Sequence, residues 1–144
     1  MAWTTPSPTS AGGAAQAYAR VALETGVASS DPRRLLVMLY DGVLKCLAQA
    51  RGHMQRRDAA AKGAALGQAL KILGEGLIAS LDEANGGPLA RQLRDLYDYI
   101  EKRIVLANLR NDARLLDEAA ALLGELRAAW QSLAEQADGV QAGA

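Results

Sequence analysis

Phenylalanine is absent from this chain of 144 residues, and aromatic side chains make up only 4% of it. A sheet protein would lean on aromatic and β-branched residues to cover its pleated faces. Leu and Ala carry the apolar half of the composition instead, and both favour helices. Cysteine occurs once, at Cys46, so no disulfide can form within the chain. Histidine also occurs once, at His53. A structural zinc site takes four Cys or His ligands, and a di-metal carboxylate bundle takes Glu-x-x-His from two helices. Neither set exists here, so no metal or other cofactor is expected. There is no charge surplus of either sign, with 16 basic and 16 acidic residues. Nucleic-acid binding by counterion release therefore has no support at the level of the whole chain. No apolar run approaches the roughly 18 residues of a membrane span, and no charged-then-apolar leader with a cleavage site opens the chain. The expectation is an intracellular, reducing compartment without stable membrane insertion.

What is present is helical periodicity with clear punctuation. Residues 1–16 are rich in Ser, Thr, Pro, Gly and Ala, nearly uncharged, and read as a disordered tail. In residues 17–30, Tyr18, Val21, Ala22 and Thr25 share one face of a short segment, followed by a linker. Asp31 is suited to cap the first long helix, with Pro32 at its first position. That helix carries the stripe Leu36, Tyr40, Val43, Leu47, Ala50, Met54 and ends near Arg56 and Arg57. Asp58 then caps a second helix over residues 59–81, striped by Leu66, Leu70, Leu73, Leu77 and Leu81. Four glycines inside it weaken its intrinsic propensity. Asn85-Gly86-Gly87-Pro88 is the sharpest break, and Pro88 is placed to start the third helix. Leu89, Leu93, Leu96, Ile100, Ile104 and Ala107 form its stripe. Asn111-Asp112 supplies a turn and a cap for a fourth helix striped by Leu115, Ala119, Leu122, Leu126, Ala129 and Leu133 and flanked by Leu116, Leu123 and Trp130.

Four such helices with short links predict an all-α, antiparallel four-helix up-down bundle over residues 31–137. An N-terminal segment is able to pack across it, and residues 138–144 are expected to fray. Residues 31–58 hold six basic and three acidic side chains, whereas residues 112–144 hold two and six. The first and fourth helices are thus suited as neighbours.

Catalytic chemistry has little to work with. A Ser-His-Asp arrangement would have to use His53, which has no evident partner. Asp95, Asp98 and Glu101 read as the solvated side of the third helix, and no enzyme is expected. Binding has more support. Residues 35–39 are continuously apolar, wider than one bundle stripe needs, so Leu35, Val37 or Leu39 is left over for a partner. Tyr40, Tyr97 and Tyr99 fit core or boundary packing with the hydroxyl reaching water. The segment around Tyr18 is able to cover a groove of the same chain.

Together these residues resemble the flagellar secretion chaperone (FliS) family. The likeness spans residues 18–130. It rests on Tyr18 with Val21, Glu24 and Thr25, on Asp31-Pro32 and Leu35, and on Met38-Leu39-Tyr40-Asp41-Gly42. It continues through Gly86-Gly87, Leu93, Leu96-Tyr97-Asp98-Tyr99-Ile100, Arg103, Ala107-Asn108 and Asp112. Leu116, Glu118, Leu122-Leu123, Leu126-Arg127 and Trp130 complete it. The resemblance implies a cytoplasmic export chaperone that binds the disordered C-terminal region of flagellin, prevents premature polymerisation and aids delivery to the export apparatus. It also implies that Tyr18 caps the client groove. Leu35, Leu39, Tyr40 and Val43 are candidates for that groove, with Ile100, Ile104, Leu122 and Leu126, although these positions equally suit a core. The alternative is a bundle adaptor for another flagellar or secretion protein. Gln92 departs from the Asn common at that place in the family.

Overall fold

The computed structural model describes residues 32–143, with side chains to residue 136 apart from residue 83. The expected tail, the Tyr18 segment and the Asp31 cap lie outside the described residues. Helix α1 spans Pro32–Gln55 and opens on its proline as expected. Helix α2 spans Ala59–Lys71, and its first turn is closed by Asp58, whose Oδ1 accepts from the Ala61 amide at 3.1 Å. Helix α3 spans Glu83–Arg110 and α4 spans Ala113–Gly143.

The turns between helices are tight because single residues take the left-handed conformation. Arg57 has φ 56°. Its amide donates to Met54 O, and the Asp58 amide donates to His53 O, the paired bonds of a Schellman stop. Asn111 repeats the device at the end of α3, with φ 51° and the Asp112 amide on Ala107 O.

The second helix does not run uniformly to residue 81. Residues Ile72–Ile78 form a π-helical segment, with Ala79 N bonded to Gly74 O. A Cβ at Gly76 would sit 3.2 Å from Leu39 Cδ1, so the wider coil brings bare backbone against a fully buried leucine of α1. The break at residues 85–88 is also reshaped. Asp82 caps a preceding helical turn by accepting from the Asn85 amide, and Gly87 kinks the helix with φ 61° and ψ −144°. Positive φ there needs glycine, and Pro88 follows it.

The contacts show how the helices are arranged. Arg51 pairs with Asp117 and Asp41 with Arg127. Numbering therefore rises along α1 as it falls along α4, and the two are antiparallel. Lys62 reaches Asn108 and Asn111 while Gly74 faces Glu101, so α2 and α3 are antiparallel too. Each helix packs on the next and α4 closes back on α1, giving the four-helix bundle. Of the two ion pairs across this last seam, Arg51–Asp117 follows the expected charge asymmetry and Asp41–Arg127 runs against it. No helix among the described residues is long and apolar enough to cross a membrane.

The core holds Leu36, Leu39, Tyr40, Val43, Leu47 and Ala50 from α1, Leu66 and Ala69 from α2, and Ile72, Leu73 and Leu77 from the π segment. Along α3 the buried line is Ala90, Leu93, Tyr97, Ile100, Ile104 and Ala107. Tyr97 thus takes the place expected for Leu96, and Leu89 is exposed. From Ala90 to Ala107 the buried positions keep an unbroken spacing of three and four residues, and Leu89 falls outside that line. On α4 the buried line is Leu116, Ala119, Leu123, Trp130 and Ala134, about one residue round from the predicted stripe. Trp130 fills the inner position, which turns Leu122 and Leu126 to the flank. At the centre, the hydroxyls of Tyr40 and Tyr97 bond to each other across the bundle diagonal. These two hydroxyls therefore meet in the interior instead of reaching water.

Candidate functional site

The start of α1 leaves little of its apolar run at the surface. Leu36, Val37 and Leu39 are buried, and Leu35 and Met38 of that run are half-exposed. Helix α1 touches α2, the π segment and α4, so it buries its wide apolar start. Among the described residues, the exposed large apolar side chains are Leu89, Val105, Leu109 and Leu133. Leu109 is 77% exposed and Val105 45%.

Val105 and Leu109 stand one turn apart on the outer side of α3. With Leu106 and with Leu70 of α2 they form the apolar floor of an open groove of about 540 Å³. Asp98, Glu101 and Lys102 complete its lining. From Asp98 to Leu109 it follows α3 for about 16 Å, at the helical rise of roughly 1.5 Å per residue. Leu70 lies on the predicted core stripe of α2 but stays half-buried, because the neighbouring Leu66, Ala69 and Leu73 fill the interior.

The acidic end of the groove differs from the solvated face that the sequence suggested. Asp95 is exposed, but Asp98 and Glu101 are half-buried. Glu101 folds towards Gly74 of the π segment, where no side chain stands in its way. Burial pushes its carboxyl pKa up, Asp98 adds to that, and Arg94 opposes it. Arg94 also pairs with Asp98 at 3.3 Å. On the opposite flank of α3, Tyr99 donates to Glu118 at 2.8 Å and Arg103 lies over the Tyr99 ring. Arg103 pairs with the same Glu118, so that flank is closed onto α4.

Of the eight sequence-predicted groove positions, Leu39, Tyr40, Val43, Ile100 and Ile104 come together in the interior and are essentially inaccessible. Leu35, Leu122 and Leu126 are half-buried on the surface. Tyr18 lies outside the described residues. The sequence reading missed Leu70, Val105, Leu106 and Leu109. The signal was present in the continuous apolar run of residues 104–107, which is wider than one stripe and matches the criterion applied to residues 35–39. Cys46 is buried, which raises its thiol pKa and makes it a poor nucleophile. Among the described residues, no cluster of His, Cys, Asp and Glu could hold a metal.

A helical bundle with an open apolar groove on its outer face has the form of a protein-binding molecule. Comparison with known proteins makes this specific. Residues 14–137 match the family described as Flagellar protein FliS, and the chain belongs to that family. It is 42% identical over 122 residues to the flagellar secretion chaperone FliS of Salmonella typhimurium, covering 85% of this chain and 90% of that one. It is 44% identical over 116 residues to the flagellar secretion chaperone FliSB of Pseudomonas aeruginosa, covering 81% and 91%. The more distant FliS of Bacillus subtilis is 31% identical over 108 residues, covering 75% and 79%. These relatives are named as flagellar secretion chaperones.

Proposed function

We propose that this protein is a cytoplasmic flagellar export chaperone that shelters the disordered C-terminal region of flagellin. On this reading the groove between α2 and α3 receives one apolar stretch of that tail. The observation that carries it is the solvent-facing floor of Leu70, Val105, Leu106 and Leu109. A disordered client pays an ordering cost when it binds. A preformed apolar track about three helical turns long offsets that cost without rearranging the chaperone. The half-buried Leu35, Leu122 and Leu126 extend the client surface around the bundle. Leu39, Tyr40, Val43, Ile100 and Ile104 act on the client indirectly, by holding the helices that frame it. By holding the tail, the protein delays polymerisation and presents the subunit for export. No bond is made or broken.

Calorimetric titration with the flagellin tail tests this. Leu109→Asp should weaken binding by about tenfold or more, the scale of a hot-spot contact. Its thermal midpoint should barely move, because Leu109 is mostly exposed. Unchanged affinity in a normally folded Leu109→Asp variant would remove the groove from the client path. In the same titration, deleting residues 1–29 should tighten binding if the Tyr18 segment competes for the groove. Equal or weaker binding would reject that cap.

A further inference from the structure

The apolar floor of the α2–α3 groove reaches Leu109, one residue before α3 ends, and a separate recess stands at that end of the bundle, with Asn111 in its lining. This recess of about 380 Å³ is lined by His53, Met54, Arg57, Asp58, Ala59, Lys62 and Asn111. Lys62 is only 8% exposed. Its ammonium donates to Asn108 O at 3.2 Å and to Asn111 Oδ1 at 3.0 Å. An ammonium has three protons, so one donor is left over at the recess. The Arg57 guanidinium makes no hydrogen bond or ion pair among the described residues and is exposed. Arg56 Nη2 lies 2.9 Å from His53 Nδ1. Since a guanidinium can only donate, Nδ1 accepts, and Nε2–H is the donor that the ring has to offer.

The opposing charge is partly spent. Asp58 is the one carboxylate lining the recess, and its Oδ1 is held by the Ala61 amide at the positive end of α2. Two cations therefore face one engaged acid. The Asn108 carbonyl, at the negative end of α3, is already taken by Lys62.

We infer that this recess binds the terminal α-carboxylate of the client tail, so that the chaperone reads the end of the chain as well as its apolar face. The inference rests on the flagellin-tail reading given above. A tail lying along α3 runs out of apolar floor at Leu109, and its last carboxylate then meets Lys62 and Arg57 of the recess. Charge-assisted bonds of this kind are stronger than neutral ones and sensitive to position. Capture of a terminal carboxylate is a recurring mode of peptide recognition.

The test uses the full chain and two synthetic peptides of the flagellin C-terminal region, alike except that one ends in a free carboxylate and the other in a carboxamide. Titration should show the amide binding about tenfold more weakly, as expected for loss of one charge-assisted contact. Arg57→Gln, which keeps a non-glycine residue at an exposed turn position, should weaken the acid peptide by a similar factor and leave the amide unchanged. Equal affinity for both peptides overturns the carboxylate site and leaves the groove reading standing. A weaker amide with no response to Arg57→Gln places the carboxylate elsewhere and also overturns it. If neither peptide binds, the flagellin reading falls and takes this inference with it.

Discussion

Glu101 shows how one side chain can belong to two surfaces. It lines the groove, yet it is drawn towards the π segment because Gly74 presents no side chain there. Its folded-state pKa is raised, chiefly by burial and then by Asp98. A carboxyl whose pKa is higher folded than unfolded costs stability when it is ionised. That cost is fully present above the folded value and disappears as pH falls below the unfolded value. Glu101→Gln should therefore stabilise the protein at neutral pH, with the gain shrinking to nothing as pH drops below the ordinary carboxyl range. Urea midpoints of the two proteins between pH 3 and 7 measure this. A constant difference across that range would show that the effect is steric and not ionic.

At the scale of elements, the two kinds of glycine in the second helix should behave oppositely. A Cβ at Gly67 meets nothing within 4 Å, and alanine is the better helix former. Gly67→Ala should thus stabilise by about 0.5–1 kcal/mol. A Cβ at Gly76 meets both methyls of Leu39, at 3.2 and 3.3 Å. Leu39 is locked in the core, so Gly76→Ala should destabilise by about 1–3 kcal/mol, as overpacking does. Thermal melts of the two variants give the signs directly, and two shifts in the same direction would contradict the packing described at Gly76. The same contrast explains what could be read from the sequence. Asp58 and Asp112 were legible because a cap is a local event, each carboxylate accepting from an amide two or three residues on, and Pro32 because its ring suits the first helical position. The π segment was not, since its reason lies on another helix, at Leu39. The face of α4 was misjudged by one position for a related reason. A helix rich in Leu and Ala offers several near-equivalent stripes, and only the placement of Trp130 against the other helices decides among them.

For the whole molecule, the bundle and its neighbour pairs followed from periodicity, whereas the open groove between α2 and α3 did not. Periodicity alone does not say which striped leucine stays at the surface, and Leu70 was lost in that way. The closed ring also bears on how the chain folds. Three of its seams join helices that follow one another and can zip together across short connections. The fourth, between α1 and α4, brings together residues 66 and 86 positions apart, as in Arg51–Asp117 and Asp41–Arg127. Loop-closure entropy falls mainly on this one event, so the first and last helices should meet late, after the hairpins have formed. Stopped-flow measurements on Arg127→Met should then show faster unfolding with little change in the folding rate. A variant that folds markedly slower would mean that the two ends of the bundle find each other first.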